Sequence, residues 1–334
     1  MLTSDFHYSL PDDAISQAAV EPRDSSRLLD TRDLSDHRFA DLPALLERGD
    51  LLVVNTTRVR RARLAATKGT GGAVEVLLLN PIGDGGWEAL VRPARRVREG
   101  TRLTAGPATL EVRTVPKEGV AVVDVVGGSL DDAVAAVGAV PLPPYFHGSL
   151  ADPERYQTVY GRRVGSAAAP TAGLHFTEGL LEALASAGIE VATVDLEIGL
   201  DTFRPIGVGQ LADHRMHRER VIVGAPLIDA VTATRSRGGR VVAVGTTVVR
   251  SLEAAAAGGD LQPMDAPTDL FITPGFRFRV VDLLITNFHV PGSTLVVLVA
   301  AFMGPGWRVA YETALHRGYR FLSFGDAMLA QRAS

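Results

Sequence analysis

The segment between Arg60 and Gly127 restricts the fold more than any other part of the chain, because its hydrophobic period differs from that of the flanking sequence. Short β-rich runs recur there roughly every ten residues, with turn sequences and no helical pattern between them. The runs are RARLAAT, AVEVLLL, WEALVRP, TRLTA, ATLEVRTV and VAVVDVV. Since closing such strands into a barrel removes their exposed edges, the segment predicts a six-stranded antiparallel β-barrel.

The sequence on both sides of this segment alternates helical and strand patterns. Helix-period runs such as PLIDAVTATRSR are followed by short apolar runs such as RVVAV, and TLVVLVAAFM predicts a helix that is buried on nearly every side. At 334 residues the chain is long enough for two domains. We therefore predict an α/β fold: a layered α/β main domain formed by residues 1–59 and 150–334, with an inserted antiparallel six-stranded β-barrel domain at residues 60–149.

Polar residues gather at both ends of one helix–strand pair in the segment 165–205. Thr177 can cap the helix, Gly188 can end it, and the strand follows over residues 189–198. The polar residues before the helix, and on or after the strand, are Ser166, Thr171, His175, Asp195, Glu197 and Arg204. In layered α/β sheets ligands bind where strands end and loops meet, so we place the candidate active site here.

Other predicted strands also end in polar residues, and one shared ligand pocket accounts for all of them. These residues are Asn55 and Arg58, then Thr246, Thr247 and Arg250, then Asn287 and His289, and finally Asp326 at the end of a predicted last strand over Tyr319–Asp326. The Gly-Thr-Thr turn before a helix directs free main-chain N–H groups outward, which favours an anion or a carboxylate. The alternative is ordinary turn and cap chemistry, since Asn and Thr side chains hydrogen-bond local backbone.

His175 and His289 each stand next to a phenylalanine at the mouth of the predicted pocket. A lone histidine in such a place is usually a hydrogen-bonded core residue, but two of them converging with Glu197 and Asp195 would suit acid–base catalysis. These four residues are our candidate catalytic groups. The chain lacks G-x-G-x-x-G, P-loop and G-x-S-x-G motifs at strand–helix junctions, which removes the main support for a nucleotide dehydrogenase, an NTPase or an α/β-hydrolase.

Composition excludes several further kinds of site. The chain has no cysteine, which rules out disulfides, thiolate metal sites and a cysteine nucleophile. His214 and His217 have i, i+3 spacing but no matching third ligand, so we predict no metal site. The acidic N-terminus predicts no signal peptide, and the most apolar segment is about half the roughly 20 residues of a membrane span. We therefore expect a cytoplasmic protein with no membrane partner.

Arginines cluster in two runs, RVRRAR and RPARRVR, although the net charge of the chain is −4. Such clusters can bind RNA phosphates, or they can simply keep a small β-domain soluble. The candidate RNA-binding residues are Arg60, Arg61, Arg63, Arg92, Arg95 and Arg96.

Several stretches of the chain are similar to one enzyme family. They are SAAAPTAGLHFTEGLLEAL, GRVVAVGTTVVRSLEAAA, FITPGFRFRVVDLLITNFHVPGSTL, PLPPYF with ERYQTVY, and RFLSFGDAML. From Phe6 to its C-terminus the chain resembles the S-adenosylmethionine:tRNA ribosyltransferase-isomerase family of the queuosine pathway. The resemblance implies an α/β domain with an inserted β-barrel. It also implies transfer of the ribosyl part of S-adenosylmethionine to 7-aminomethyl-7-deazaguanine in a tRNA anticodon, giving epoxyqueuosine-tRNA, adenine and methionine.

The resemblance also implies partners and residue roles. S-adenosylmethionine would be a substrate, with no metal or redox cofactor, and the macromolecular partner would be a tRNA anticodon stem-loop. We expect a monomer or a weak homodimer. His175 and His289 would transfer protons. The groups holding the methionine carboxylate would be Thr246, Thr247 and Arg250, with Asn55, Arg58, Asn287 and Asp326 lining the pocket.

Two departures from the family pattern keep other functions open. Where the family usually reads L-H-V-G-x-G-T-F, this chain has Glu197 for the histidine and Asp201 for the second glycine, and where the family commonly reads V-I-P-A-R-L this chain has VRRARL. An acid in place of an imidazole changes both charge and pKa. The first alternative is therefore a lyase or transferase that cleaves S-adenosylmethionine on a small molecule without tRNA. The second is a noncatalytic RNA-binding protein.

Overall fold

The computed structural model describes residues 1–117, 119–148, 150–199, 205–216 and 218–333. The chain divides into two compact units, one formed by Met1–Arg58 with Pro143–Ser334 and the other by Val59–Leu142. The assignment of residues 1–59 with 150–334, and of residues 60–149, to separate domains stays a prediction.

The described residues form both strands and helices along the whole chain. The strands are β1 (Arg27–Asp30), β2 (Ser35–Arg38), β3 (Leu51–Asn55), β4 (Thr57–Val59), β5 (Arg63–Lys68), β6 (Ala73–Pro81), β7 (Gly86–Arg92), β8 (Arg102–Ala105), β9 (Ala108–Val112), β10 (Val120–Gly127), β11 (Gly138–Ala139), β12 (Arg163–Ser166), β13 (Glu190–Leu196), β14 (Glu219–Val223), β15 (Val241–Val244), β16 (Met264–Thr268), β17 (Leu283–Asn287) and β18 (Ala327–Gln331). The α-helices are α1 (Leu42–Leu45), α2 (Leu130–Val137), α3 (Glu178–Ser186), α4 (Ala225–Ser236), α5 (Thr246–Ala255), α6 (Thr294–Met303) and α7 (Gly306–His316).

The larger unit contains a nine-stranded sheet in the order β16-β14-β13-β3-β15-β17-β18-β1-β2. Neighbours β13, β3, β15 and β17 are parallel, so their carboxyl ends share one edge of the sheet. Strand β18 is antiparallel to β17, and β1 is parallel to β18, so the amino ends of β18 and β1 lie at that same edge. We call this side the polar edge; its residues are Ser26, Asn55, Leu196, Gly245, Asn287 and Asp326.

The two faces of this sheet are covered by different helices. In β3, Leu51 and Val53 belong to the core that includes α4, α5, α6 and α7, while Leu52 and Val54 belong to the core that includes α1 and α3. All four side chains are fully buried, and each such burial contributes roughly 1.5–3 kcal/mol. Burial on both faces explains why the strand reads as a continuous apolar run. The predicted layered α/β architecture is confirmed.

The smaller unit is the predicted barrel. Its strands pair in the order β5-β6-β7-β10-β9-β8, all antiparallel, and a further pairing of β5 with β8 closes the sheet. The short strand β11 pairs with the beginning of β5. Ser129 caps α2 by accepting a hydrogen bond from the main-chain N–H of Asp132, at 3.2 Å. The predicted closed six-stranded antiparallel barrel is confirmed, because each of the six β-rich runs forms one of its strands.

The predicted last strand over Tyr319–Asp326 is wrong. The strand starts at Ala327, and the preceding residues form a turn. The buried carboxylate of Asp326 holds that turn, since it accepts hydrogen bonds from the main-chain N–H groups of Arg27 and Arg320 and from the Arg320 side chain, at 2.8–2.9 Å. Asp326 therefore lies at the start of a strand, and reaches the polar edge only because β18 runs antiparallel to β17.

Candidate active site

One cleft at the polar edge is lined by several of the predicted site residues. Two adjoining cavities share Thr171, His289 and Leu295 on their walls. The first is also lined by Gly245, Thr246, Thr247 and Thr286, and the second by Tyr145, Asn287 and Ser323. The structure thus brings Thr171, Thr246, Thr247, Asn287 and His289 together, and we refer to the two cavities as the cleft.

His289 lies in the turn after β17, and its main chain is held from both sides. The hydroxyl of Tyr8 donates to the carbonyl oxygen of His289, and the His289 N–H donates to the hydroxyl of Tyr311 at 3.2 Å. The ring Nε2 is 2.9 Å from the Thr286 hydroxyl. Within the described part of the chain the other ring nitrogen, Nδ1, makes no hydrogen bond. His289 therefore presents one ring nitrogen for an incoming group from a rigid turn.

Burial makes His289 a neutral imidazole. It lowers the pKa of His289 from 6.5 to about 3, because the protonated ring would lose its hydration. The neutral ring is the form that can accept a proton at physiological pH. The chemistry available at this position is therefore that of a fixed hydrogen-bond partner and proton acceptor.

His175 is held differently, because both of its ring nitrogens have partners inside the protein. Nδ1 lies 2.7 Å from the Ser26 hydroxyl, and Nε2 lies 3.1 Å from the side-chain nitrogen of Asn287. That amide nitrogen also faces the carbonyl oxygens of Leu322 and Asp326, at 3.1 and 3.3 Å, so it must be the NH₂ donor. His175 Nε2 is then an acceptor and Nδ1 carries the proton. The geometry favours a positioning role for His175 through Asn287.

These buried histidines predict acid sensitivity of the fold. Burial lowers the pKa of His175 from 6.5 to about 4, against the opposing effect of the Asp326 carboxylate. The unfolded ring binds a proton below about pH 6.5 and the native ring does not, so the stabilisation is complete above pH 6.5 and is lost as pH falls towards 4. We expect His175 to account for roughly 2 kcal/mol of lost unfolding free energy by pH 5. Urea unfolding of wild type and His175→Gln between pH 7.5 and 5 measures this: the variant should show a pH slope shallower by close to one proton, and equal slopes would contradict the assignment.

The amino end of α5 borders the cleft with a main-chain turn and two threonines. Gly245 has φ +89°, a left-handed conformation that a glycine adopts without strain and that directs the first N–H groups of α5 into the cleft. The buried hydroxyl oxygen of Thr247 has no hydrogen-bond partner among the described residues, and neither does Oδ1 of Asn287. Buried polar atoms without partners are rare in folded proteins and mark a place where a ligand can supply the missing bond.

Arg250 does not reach this turn with a free guanidinium. It forms a buried ion pair with Glu219, and its Nε donates to the carbonyl oxygen of Leu270 at 3.2 Å. Glu219 in turn accepts the main-chain N–H of Gly199 at 2.9 Å. Arg250 therefore joins α5 to the end of β13, while its Nη2 is buried without a hydrogen-bond partner among the described residues, and its role as a carboxylate ligand stays a prediction.

Asn55 and Ser166 serve the main chain at the polar edge. The Asn55 side chain donates to the carbonyl oxygen of Leu196 and accepts the N–H of the same residue, both at 3.1 Å. The Ser166 hydroxyl accepts the N–H of Ile198 at 2.8 Å and lies 2.6 Å from the Thr57 hydroxyl. Both side chains are buried. Their side-chain hydrogen bonds continue beyond the last main-chain pair of the sheet. Hydrogen bonding to the backbone is the alternative to ligand binding that the sequence left open.

The two predicted catalytic acids do not line the cleft. Asp195 accepts a hydrogen bond from the Thr56 hydroxyl at 2.7 Å. Glu197 packs against the main chain of Gly165, where an added Cβ would meet its carboxyl carbon at 3.2 Å. Arg58 is ion-paired with Glu154. Arg204, Asp201 and His217 lie outside the residues that the structure describes.

The six candidate RNA-binding arginines fall into two groups. Arg60 stacks on the Trp87 ring at 4.9 Å, and Arg63 lies 3.7 Å from the Glu75 carboxylate, so both are engaged within the barrel. The four others are exposed: Arg61, Arg92, Arg95 and Arg96.

Sequence reasoning missed the residues that hold the site in place. Tyr8 and Tyr311 fix the main chain of His289, Ser26 pairs with His175, and Tyr145 lies 2.6 Å from the Ser323 hydroxyl on the cleft wall. Tyr8 is 281 positions away from His289 along the chain. No local pattern could have joined them.

Side-chain clusters and helix lengths bear on metal binding and on membrane insertion. Within residues 1–117, 119–148, 150–199, 205–216 and 218–333, no group of three or more His, Asp or Glu side chains could hold a metal ion. Across the same ranges no single helix is long and apolar enough to cross a membrane. Helices α6 and α7 together have the length and apolar composition of a span, but the chain bends by 115° between them.

Comparison with known proteins gives one consistent result. Residues 3–330 match the family model described as queuosine biosynthesis protein. The proteins named S-adenosylmethionine:tRNA ribosyltransferase-isomerase from Anaeromyxobacter sp., Symbiobacterium thermophilum and Synechococcus elongatus are 49, 48 and 47% identical to this chain. The alignments cover 98–100% of this chain and 96–100% of those proteins.

A solved structure gives the same answer for the fold. The crystal structure of S-adenosylmethionine tRNA ribosyltransferase from Thermotoga maritima matches with a TM-score of 0.56 at 36% sequence identity, covering 98% of this chain and 99% of that one. The family resemblance seen in the sequence motifs is thereby confirmed. With a family model over nearly the whole chain and relatives close to half identical, this chain belongs to the queuosine biosynthesis protein family.

Proposed function

We propose that this protein transfers and isomerises the ribosyl moiety of S-adenosylmethionine onto 7-aminomethyl-7-deazaguanine in tRNA, giving epoxyqueuosine-tRNA, adenine and methionine. The names of its relatives support the substrates and the reaction class. The observation that carries the proposal to this chain is the cleft itself. It holds His289 beside Thr247 at the amino end of α5, and among the described residues neither His289 Nδ1 nor the buried Thr247 hydroxyl has a hydrogen-bond partner.

The sulfonium of S-adenosylmethionine acidifies the hydrogens on the adjacent 5′ carbon, so a base can remove one and leave an ylide. Adenine departs with a proton delivered to its ring nitrogen as the ribose opens. The substrate amine then attacks, losing a proton as the new C–N bond forms, and the carbons of the opened ribose join in a new C–C bond. The oxygen released by ring opening forms the epoxide C–O bond as the C–S bond breaks, and the bonding pair leaves with the sulfur of methionine. His289 is the group in the cleft best placed to move these protons, because its neutral ring has an unoccupied nitrogen.

The methionine part of the substrate carries a carboxylate and an ammonium group. The first N–H groups of α5 and the Thr247 hydroxyl would receive the carboxylate, since a helix amino end favours negative charge. Asn287 Oδ1 is a buried acceptor with no partner in the part of the chain that the structure describes, and would accept an N–H from the ammonium or from a base. Arg250 would act indirectly, by holding α5 through Glu219.

The proposal is tested by incubating the protein with S-adenosylmethionine, with and without tRNA that carries 7-aminomethyl-7-deazaguanine. Adenine release that requires this tRNA is the expected result. Release at the same rate without tRNA would instead support cleavage on a small molecule, and no release under either condition would support a noncatalytic RNA-binding protein.

Thr247→Val should weaken substrate binding without destabilising the fold. Valine keeps the volume and removes a hydroxyl that has no partner in the free protein, so the unfolding free energy should change little. The KM for S-adenosylmethionine should rise about tenfold, because a hydrogen bond to a charged group contributes roughly 1.5–3 kcal/mol. Steady-state kinetics with saturating tRNA measures this.

Thr158→Val is the matched control for that experiment. Its hydroxyl is also buried without a partner among the described residues, and Thr158 is not on the wall of the cleft. An equal rise of KM in both variants would argue against a substrate contact at Thr247.

A further inference from the structure

Four exposed arginines follow one another at the end of β7: Arg92, Arg95, Arg96 and Arg98. We call residues 92–98 the arginine loop. Within the described part of the chain none of the four forms an ion pair, whereas Arg102 nearby pairs with Glu111 at 2.8 Å. The exposed acidic residue Glu99 follows the loop directly. The loop therefore carries a net positive charge that the barrel itself leaves uncompensated.

Arg96 of the arginine loop lies at the opposite end of β5 from Arg60 and Arg61. Arg61 precedes β5 and Lys68 ends it, and the Lys68 ammonium donates to the carbonyl oxygen of Arg96 at 2.6 Å. The loop is therefore beside the carboxyl end of β5, while Arg60 and Arg61 are at its amino end. At about 3.3 Å per residue, strand β5 separates Arg61 from Arg96 by roughly 20 Å.

The backbone of the arginine loop is ordered by contacts with the barrel. The buried side chain of Val97 anchors it between the exposed arginines. The N–H of Val97 donates to the carbonyl oxygen of Ala94 at 3.0 Å, and the N–H of Arg98 donates to the Thr101 hydroxyl at 3.0 Å. Charges on a preorganised loop bind a polyanion at a lower entropic cost than charges on a mobile one.

We propose that the arginine loop is the part of the barrel that binds the phosphate backbone of tRNA, and that Arg60 and Arg63 belong to the internal framework of the barrel. This inference rests on the proposed function, which supplies tRNA as the partner. Charge complementarity supports it, because guanidinium groups without carboxylate partners match phosphate oxygens. Arg60 and Arg63 already contact Trp87 and Glu75, so they contribute little.

The test is the salt dependence of tRNA binding by the full-length protein. Fluorescence anisotropy with labelled tRNA carrying 7-aminomethyl-7-deazaguanine gives the dissociation constant between 50 and 200 mM salt. Each phosphate contact contributes about 0.7–0.9 to the slope of log affinity against log salt. R95A/R96A should therefore lower the magnitude of the slope by about 1.4–1.8 and weaken binding about tenfold or more at 150 mM. R95K/R96K should restore the slope, because a phosphate contact requires charge more than shape.

R277A is the matched control, since Arg277 is an exposed arginine of the larger unit that has no ion pair in the described residues and does not line the cleft. It should leave both the slope and the affinity unchanged. An unchanged slope in R95A/R96A, or an equal loss in R277A, would overturn this inference while tRNA-dependent adenine release in wild type keeps the proposed function. Wild type that neither binds this tRNA nor releases adenine would overturn the proposed function, and the inference with it.

Discussion

His289→Ala is expected to lower kcat for tRNA-dependent adenine release by about two to four orders of magnitude, the usual contribution of a proton-transferring side chain. The fold should survive the change. The hydrogen bonds from Tyr8 and Tyr311 join the main chain of residue 289, so they do not depend on the imidazole. The measurement is single-turnover adenine release at saturating S-adenosylmethionine and tRNA, with circular dichroism to check the fold.

His289→Asn and His147→Ala separate this role from less specific effects. Asparagine can keep a hydrogen bond to Thr286 but cannot take up a proton, so its kcat should stay as low as that of His289→Ala. His147 is exposed and does not line the cleft, so its loss should leave kcat within about twofold of wild type. If His289→Asn retained most of the wild-type turnover, a proton-transfer role for His289 would be ruled out.

Glu253→Ala is expected to cost about 3–5 kcal/mol of unfolding free energy. Glu253 is a fully buried carboxylate on α5, and it accepts the main-chain N–H groups of Arg279, Val280 and Val281 at 2.8–3.0 Å. Alanine would leave three buried donors without an acceptor, and each such donor costs roughly 1–3 kcal/mol. Chemical denaturation followed by circular dichroism gives the difference.

Glu253→Gln and Glu312→Gln sharpen that experiment. The glutamine oxygen can still accept the N–H groups of Val280 and Val281, but its NH₂ would face the N–H of Arg279, so we expect an intermediate loss. Glu312 lies on the exposed side of α7, and its change to glutamine should have an effect within about 0.5 kcal/mol. Similar losses for Glu253→Gln and Glu312→Gln would mean that the three hydrogen bonds do not stabilise the fold as argued.

The polar edge shows how much of the site could be predicted from residue type and position in the sequence. Asn55 ends β3 at the polar edge, as expected, and Ser166 ends β12, but the Asn55 side chain pairs with the main chain of Leu196 in β13 and the Ser166 hydroxyl accepts the N–H of Ile198. The partner of Asn55 is 141 positions away. A polar residue at a strand end can hydrogen-bond either a ligand or the backbone, and the position of the neighbouring strand determines which of the two it contacts.

The histidines show the same limit. His175 and His289 look equivalent in sequence, each beside a phenylalanine, and both are buried at the polar edge. The side chain of Asn287, 112 positions from His175, donates a hydrogen bond to Nε2 of His175. Among the described residues, Nδ1 of His289 has no such partner. The two histidines therefore differ in the chemistry open to them because of this long-range contact.

Residue patterns alone were enough to predict the barrel strands, most helices, the four parallel strands β3, β13, β15 and β17 of the larger unit, and the family. Those features are encoded locally, because hydrophobic period, caps and turn residues act over a few positions. Only the tertiary structure decided which polar residues line the cleft, why Asp326 reaches the polar edge, and which arginines are already engaged. Those outcomes depend on strand order and direction, which bring together side chains more than a hundred positions apart.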